Sequence, residues 1–240
     1  MKYGSIPAGG LGTRLQPLGF SKELAPVAHK AVIEYLIERM LLAGIDKIFI
    51  NTAEDKTDLI RYLSTKSIYK DNLIFLVRER KGLLDGIVLP EQFLHPDDEL
   101  YFGLPDTIWY PKDGFTQLDQ YSGELVLGLF DTGTPDKFDS VVIDPQNRIK
   151  SIEVKVAKPK SRWTWAMGKL TVRTARLLRE YEGRLGDKPL FGQAMHLFAQ
   201  DYPSYAIELS GSHCLDIGIP DDYDRADAFV KQYENPHLKS

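Results

Sequence analysis

The sequence lacks the features that mark secreted, membrane-bound and nucleic-acid-binding proteins. Its 240 residues include a single cysteine, Cys214, which excludes an internal disulfide and suits a reducing compartment. No apolar run reaches membrane-spanning length, and the first residues lead into a predicted strand rather than a signal peptide. The formal net charge of −4 gives no basic footprint for nucleic acid. We therefore expect a cytoplasmic protein whose partners are neither membranes nor nucleic acids.

Catalytic sets built on a protein nucleophile are also missing from the sequence. The five histidines are scattered, and none falls into a Ser/His/Asp or Cys/His arrangement. Cys214 lies in an apolar stretch, which indicates a buried and inert thiol. Internal repeats and linkers are absent too, and a chain of this length with 43% hydrophobic residues can bury one core. We therefore predict a single domain over residues 1–240.

A glycine cluster near the beginning of the chain is the most informative feature that is present. A short apolar stretch over residues 3–6 leads into Gly9–Gly12, which contains three glycines. Glycines expose backbone N–H groups with no side chains in the way, and the cations Arg14 and Lys22 follow. Backbone donors and two cations beside a strand end suit a triphosphate.

Two common phosphate-binding loops do not fit this cluster. A P-loop has a lysine directly after its last glycine, whereas Thr13 follows Gly12 here. A dinucleotide-binding loop has a third glycine where this chain has Leu15, and an acid after the second strand where it has Asn51. A dinucleotide-dependent oxidoreductase is therefore disfavoured.

Strand and helix patterns alternate through the first half of the chain, which predicts a largely parallel sheet. We predict a hairpin turn at 145–147 and loops at 112–119 and 182–187. Predicted strands are 3–6, 47–51, 73–77, 100–104, 125–130, 141–144, 149–155, 163–170, 205–208 and 214–217, and predicted helices are 32–43, 57–64, 83–94 (interrupted at Pro90), 172–181, 190–199 and 222–232.

Residues 3–27 resemble the N-terminal signature of the sugar-phosphate nucleotidylyltransferases. The resemblance is carried by Gly-Gly-Leu-Gly-Thr-Arg-Leu, then by Lys22 in a Lys-Glu-Leu-x-Pro-Val frame. It implies one Rossmann-like α/β nucleotidyltransferase domain with a mixed, mostly parallel central sheet flanked by helices. The nucleotide-binding half would cover about 1–110 and the sugar-phosphate half about 111–233. The implied reaction transfers a nucleoside monophosphate from an NTP, with dTTP or UTP favoured, to a sugar 1-phosphate, with Mg2+ as cofactor.

The resemblance also implies a role for particular residues. Asp106 ends a predicted strand where the family has Leu-Gly-Asp, and Asp216 lies in Cys-Leu-Asp-Ile-Gly-Ile-Pro, similar to the family's Trp-Leu-Asp-x-Gly-Thr-Pro. These two acids would hold the metal, and Arg14 and Lys22 would act on the phosphates. The implied nucleotide-binding residues are Ala8, Gly9, Gly10, Gly12, Thr13 and Gly82.

On the sugar-phosphate side, residues 152–155 resemble the family's Glu-Glu-Lys-Pro segment. The implied binding residues are Glu153, Lys155 and Gly168, with Lys158 as an alternative for the lysine. Trp163 and Trp165 flank this region and either stack on a sugar or pack within a strand.

The sequence departs from the family pattern at Val77, where the family has glutamine, at Val154 and at Asp139, where it often has glycine. These departures leave other acceptors open, such as a cyclitol phosphate, a heptose phosphate or phosphocholine. A catalytically silent binding subunit is a further alternative, although the two predicted cations and two predicted acids favour an enzyme. The basic segment 78–81 either adds positive potential near the phosphates or is a solvated turn. We expect a monomer or a homodimer.

Overall fold

The computed structural model of the protein describes residues 1–12, 19–186, 189–209, 211–217 and 222–234, the side chains of 223, 224 and 234 excepted. In chain order the elements are β1 (Lys2–Pro7), β2 (Pro26–Val27), β3 (Lys30–Ala31), α1 (Val32–Leu42), β4 (Ile48–Thr52), α2 (Thr57–Thr65), β5 (Leu73–Val77), α3 (Leu83–Val88), β6 (Glu99–Gly103), β7 (Thr107–Tyr110), α4 (Gly114–Leu118), β8 (Leu125–Asp131), β9 (Asp139–Ile143), β10 (Ile149–Val154), β11 (Trp163–Thr171), α5 (Val172–Gly183), α6 (Phe191–Asp201), β12 (Ser204–Glu208), β13 (His213–Asp216) and α7 (Asp222–Glu234).

The main sheet has the strand order β10-β9-β11-β6-β1-β4-β5, and β8 joins it by pairing with β11 and β12. Strand β1 runs parallel to β4 and β6, and β4 runs parallel to β5. Strand β11 is antiparallel to both β6 and β8, so the sheet is mixed. The predicted mixed sheet flanked by helices is confirmed.

Helices cover the parallel half of this sheet because their apolar faces match its buried strands. All five residues of β4 are buried, as expected of a strand covered on both faces. Helix α1 packs its stripe of Ile33, Leu36 and Met40 into the same core. Gly4 allows this close approach, since a Cβ there would lie 2.7 Å from the Met40 sulfur.

Four of the labelled elements lie outside the predicted strands and helices, namely the short strands β2 and β3, helix α4 and strand β7. The loop prediction over 112–119 is wrong, because α4 forms there and buries Phe115 and Leu118 in the core. Strand β7 was missed although Trp109 within it is fully buried. It pairs antiparallel with β13 and so brings together two segments that lie far apart in the chain.

Other local predictions agree with the structure. Residues 145–147 form the turn of the β9–β10 hairpin, and Asn147 has a φ of 61° there. Helix α3 ends at Val88 and a short 3-10 helix, Leu89–Phe93, begins just before Pro90. The predicted loop over 182–187 begins later than expected, because α5 continues to Gly183, and residue 187 lies outside the described residues. Within the described parts of the chain, every helix is too short or too polar to cross a lipid bilayer.

Candidate active site

A cleft of about 560 Å³ lies beyond the carboxyl ends of β1, β4 and β6. This is the edge of an open α/β sheet where ligands bind most often. Seven of the residues singled out in the sequence line the cleft, namely Gly9, Gly10, Lys22, Gly82, Asp106, Lys155 and Asp216. The cleft therefore brings together residues from both predicted halves of the chain.

The first part of the glycine segment is fixed to the neighbouring strand and to an arginine. The Ala8 N–H donates to the carbonyl of Asn51 at 2.8 Å, and the Thr52 hydroxyl donates to the Ala8 carbonyl at 3.1 Å. Arg80 donates from Nε to the Gly9 carbonyl at 2.5 Å. These bonds occupy the carbonyls of residues 8 and 9 and hold the backbone at the edge of the cleft.

Gly12 contributes in a different way from Gly9 and Gly10. It does not line the cleft, and its φ of +63° lies in the region that favours glycine. A Cβ at Gly12 would lie 3.2 Å from the Lys22 Cδ. Gly12 therefore leaves room for the stem of Lys22. Ala8 is fully buried and lies outside the cleft as well.

Lys22 stands at the start of a short 3-10 helix, Lys22–Leu24, that is anchored on both sides. The backbone N–H and the hydroxyl of Ser21 each donate to the Asp58 carboxylate at 2.6 Å. Glu23 is fully buried and pairs with Lys56 at 2.8 Å. Because Ser21 and Glu23 are held in this way, the backbone of Lys22 has a fixed position beside the cleft.

Lys22 contacts Asp106 directly, with 2.5 Å between Nζ and Oδ2. Burial disfavours the charged form of Lys22, but the carboxylates of Asp106, Glu23 and Asp216 together outweigh burial, so the pKa of Lys22 is raised above its usual 10.5. The lysine is therefore charged at neutral pH and faces both predicted metal ligands.

Strand pairing explains how the two acids meet. Thr107 in β7 is the register partner of Asp216 in β13, and the Ile217 N–H donates to the Asp106 carbonyl at 2.9 Å. The side chains of Asp106 and Asp216 both line the cleft. Such a pair suits Mg2+, which takes one or two protein carboxylates and fills its other positions with water and phosphate oxygens. The described residues contain no cluster of three or more potential metal ligands.

Residues 78–81 form one wall of the cleft, next to Gly82, whose φ is +132°. Arg78 pairs with Asp85 at 2.8 Å, and Arg80 pairs with Asp55 at 2.5 Å. Both arginines are thus held by carboxylates, so this segment is an ordered wall of the cleft whose guanidinium charges are paired. Val77, where the sequence departs from the family's glutamine, does not line the cleft.

The acceptor side contains Lys155 but not every residue predicted with it. Lys155 lines the cleft with a φ of +48°, whereas the alternative Lys158 does not line it. Glu153 also lies outside the cleft, and its carboxylate accepts a hydrogen bond from the Lys160 N–H at 2.8 Å.

Gly168 does not line the cleft. This glycine is in the interior of β11, where a Cβ would lie 2.7 Å from the Phe102 ring and 2.9 Å from the Leu127 side chain. Packing between strands therefore accounts for its lack of a side chain, and its contact with the sugar phosphate stays a prediction.

The acceptor end is also lined by Asp139, which the sequence does not assign to a site, and by Trp165, for which sugar stacking is one of two predicted alternatives. Asp139 begins β9, and Trp165 lies in β11. Burial raises the pKa of Asp139, although Trp165 and the charge of Lys155 act in the opposite direction. The only sequence signals were a departure from the family pattern at Asp139 and the period-two aromatic pair at Trp163 and Trp165. Thr13 and Arg14, which were predicted to bind the phosphates, lie outside the described residues.

Comparison with known proteins identifies the family. The profile described as "Nucleotidyl transferase" matches residues 4–233, and the chain belongs to this family. A glucose-1-phosphate thymidylyltransferase of Neisseria meningitidis is 34% identical over 168 residues, which are 67% of this chain and 58% of the relative. A UTP–glucose-1-phosphate uridylyltransferase of Staphylococcus saprophyticus is 25% identical over 189 residues, 66% of each chain. The chain thus spans less than two thirds of the length of its curated relatives.

A solved structure shares the fold along almost the whole chain. A Bacillus anthracis protein assigned as a glucose-1-phosphate thymidylyltransferase, crystallised with sucrose, superposes with a TM-score of 0.85. The alignment covers 96% of both chains at 20% sequence identity. At this identity the likeness shows the fold alone.

Proposed function

We propose that the protein is a sugar-1-phosphate nucleotidylyltransferase. It would transfer a nucleoside monophosphate from an NTP to a sugar 1-phosphate and release pyrophosphate, thereby supplying a nucleotide sugar for biosynthesis. The observation that carries this proposal is the meeting of Lys22, Asp106 and Asp216 in one cleft beside Gly9 and Gly10. The family to which the chain belongs and the names of its relatives support the same reaction class.

The reaction we infer is a direct in-line displacement. An oxygen of the sugar phosphate attacks the α-phosphorus of the NTP, and the bond from that phosphorus to the pyrophosphate oxygen breaks. The acceptor phosphate is already ionised at neutral pH, so no protein nucleophile or general base is required. This accords with a sequence that has no recognisable nucleophile–base set.

The predicted site residues would take separate roles in this reaction. The backbone at Gly9 and Gly10 and the predicted cation Arg14 would bind the triphosphate. Asp106 and Asp216 would hold Mg2+, which when bound neutralises phosphate charge that develops in the transition state. Lys22 would leave Asp106 for a phosphate oxygen, and Lys155 would bind the phosphate of the acceptor. The wall at residues 78–81 lies beside the proposed nucleotide site, and its two arginine charges are paired with Asp85 and Asp55.

The nucleobase, the acceptor, the cellular location and the oligomeric state are proposed only in outline. The relatives' names favour dTTP or UTP with glucose 1-phosphate. A cytoplasmic location and a monomeric or homodimeric state remain predictions from the sequence. Other acceptor phosphates are tested by the same experiment as the hexose 1-phosphates.

The experiment is a grid of nucleoside triphosphates against hexose, heptose and cyclitol phosphates and phosphocholine, scored by pyrophosphate release with Mg2+. We expect turnover with at least one pyrimidine nucleotide and one sugar 1-phosphate, and mass spectrometry should detect the corresponding nucleotide sugar. Nucleotide binding without turnover on any pair would refute the enzymatic proposal in favour of a silent binding subunit.

A further inference from the structure

The acceptor end of the cleft contains a carboxylate that the inferred phosphate chemistry does not use. Asp139 is the first residue of β9, and its side chain faces the cleft together with Lys155. Among the described residues, the ion pairs within 4.0 Å do not include Asp139. A partly buried carboxylate of this kind has capacity to accept hydrogen bonds from a ligand.

A buried donor lies beside this carboxylate. Trp165 is only 7% exposed, and its indole Nε1 has no acceptor placed for a good hydrogen bond among the described residues. Burial raises the pKa of Asp139 and the interaction with Trp165 only partly offsets this, while the two groups do not meet hydrogen-bond geometry. A buried donor without a good acceptor is costly, and a ligand oxygen would relieve the cost.

Both side chains are held in place by their surroundings. The Trp165 ring packs edge-on against Phe102 and Phe191, with centroids 6.1 and 5.5 Å away. A Cβ at Gly192, in the first turn of α6, would collide with Asp139 Oδ2 and lie 3.0 Å from its Cγ. Gly192 therefore leaves space for the Asp139 carboxylate, which is fixed in position at this end of the cleft.

The two groups together point to one kind of ligand atom. An indole N–H acts only as a hydrogen-bond donor, and a carboxylate acts only as a hydrogen-bond acceptor. A hydroxyl group satisfies both, whereas an ammonium group cannot accept from the indole. In the sheet, β11 and β6 separate β9 from β1, which puts this end about 14 Å from the glycine segment at about 4.8 Å per strand. That separation suits the part of an acceptor that is remote from the triphosphate.

We propose that Asp139 and Trp165 form a hydroxyl-recognition site that determines acceptor specificity, in which one acceptor hydroxyl accepts from the indole N–H and donates to the carboxylate. This inference rests on the proposed function, because it assumes that the acceptor phosphate lies at Lys155. It assigns the pair a role in choosing among polyhydroxylated phosphates and none in the chemical step.

The test combines enzyme variants with acceptors that each lack one hydroxyl. Wild-type protein should prefer the intact acceptor over one of the single-deoxy analogues by about a hundredfold or more in kcat/KM, because loss of that hydroxyl leaves two groups unpaired. Asp139→Ala and Trp165→Phe should each reduce this preference to within a fewfold of unity. The KM for the acceptor should rise about tenfold or more, while the KM for the nucleotide stays within about twofold.

Matched controls separate recognition from folding and from long-range charge. Asp136→Asn removes the same charge at an exposed neighbouring position outside the cleft and should leave the preference intact. Asp139→Asn should melt no lower than wild type at pH 7, because burial already disfavours the ionised form of Asp139. It should still weaken hydroxyl discrimination.

The outcomes distinguish this inference from the proposed function. If the wild type turns over but is indifferent to every single-deoxy analogue, or if both variants keep the wild-type preference, the hydroxyl site is wrong and the transferase proposal stands. If calorimetry shows that sugar phosphates bind with this discrimination but no pyrophosphate is released, the hydroxyl site stands and the transferase proposal fails. If no sugar phosphate binds, both are wrong.

Discussion

Replacement of Lys22 by methionine tests the electrostatics of the cleft most sharply. In the structure, Nζ of Lys22 lies 2.5 Å from Asp106, and the charge of Asp216 also acts on it. Loss of one fixed cation from a phosphate-transfer site costs about 3–4 kcal/mol of transition-state stabilisation, or about 10²–10³ in kcat. Lys22→Met should therefore lower kcat by that factor in a pyrophosphate-release assay, whereas Lys150→Met, an exposed control on β10, should not.

The same variant makes a prediction about stability. Without Lys22, Asp106 loses its ion-pair partner, and we expect a loss of about 1–3 kcal/mol of unfolding free energy. Mg2+ would neutralise the same carboxylate, so it should raise the Tm of Lys22→Met more than that of the wild type. The reasoning is wrong if kcat stays within tenfold of wild type or if Mg2+ stabilises both proteins equally.

The stability that Lys22 contributes should depend on pH, because its pKa is higher in the folded protein than in the unfolded chain. This contribution is complete below pH 10.5 and is lost as the pH rises above that value. Urea unfolding of wild type and Lys22→Met at pH 7 and pH 11 measures the difference. Lys56→Met should cost about 3–5 kcal/mol by leaving Glu23 buried without its partner, and the double variant with Glu23→Leu should recover much of this loss in denaturant unfolding. Asp58→Ala removes the acceptor for both Ser21 bonds, so we expect a loss of about 1–2 kcal/mol and a higher KM for the nucleotide. Burial raises the pKa of Asp58, but the Ser21 hydrogen bonds outweigh burial and lower it. The stability difference between wild type and Asp58→Ala should therefore disappear as the pH falls below 3.8, and a difference that persists there contradicts the role given to these hydrogen bonds. Burial and the charge of Asp216 raise the pKa of the Cys214 thiol, so alkylation at pH 8 should be far slower in native than in unfolded protein, and equal rates would contradict that environment.

The glycine segment could be assigned to a phosphate site from sequence because its chemistry is local. Gly9, Gly10 and Lys22 lie within a short stretch, and all three line the cleft. The position of the acids could not be derived in the same way. Asp106 and Asp216 meet because β7 pairs with β13, and a sequence pattern that indicates a strand over 214–217 does not indicate its distant partner.

Motif similarity also assigned binding roles that packing explains better. Gly168 matches a family glycine, yet the ring of Phe102 and the side chain of Leu127 occupy the space beside it. Glu153 follows the motif in sequence, but its carboxylate binds the Lys160 backbone. Conversely, Asp139 and Trp165 come from different strands, and their approach depends on the order of β9 and β11 in the sheet.

Helix α4 shows why the predicted loop failed. Its segment contains glycine and polar residues that favour turns, and only Phe115 and Leu118 pack into the core. Two apolar residues in a helix of five are too few for a periodic signal. Burial against the sheet therefore overrides local preference in this segment.

The most direct test of the central claim is a double-mutant cycle between Asp106 and Asp216. If both carboxylates hold one metal ion, either Asn variant should lose nearly all Mg2+-dependent pyrophosphate release while remaining folded. The double variant should then be no more than a fewfold slower than the slower single variant, because the second change removes nothing further. Losses that multiply, or a wild-type rate in either single variant, would contradict a shared metal site and the nucleotidyl transfer proposed to depend on it.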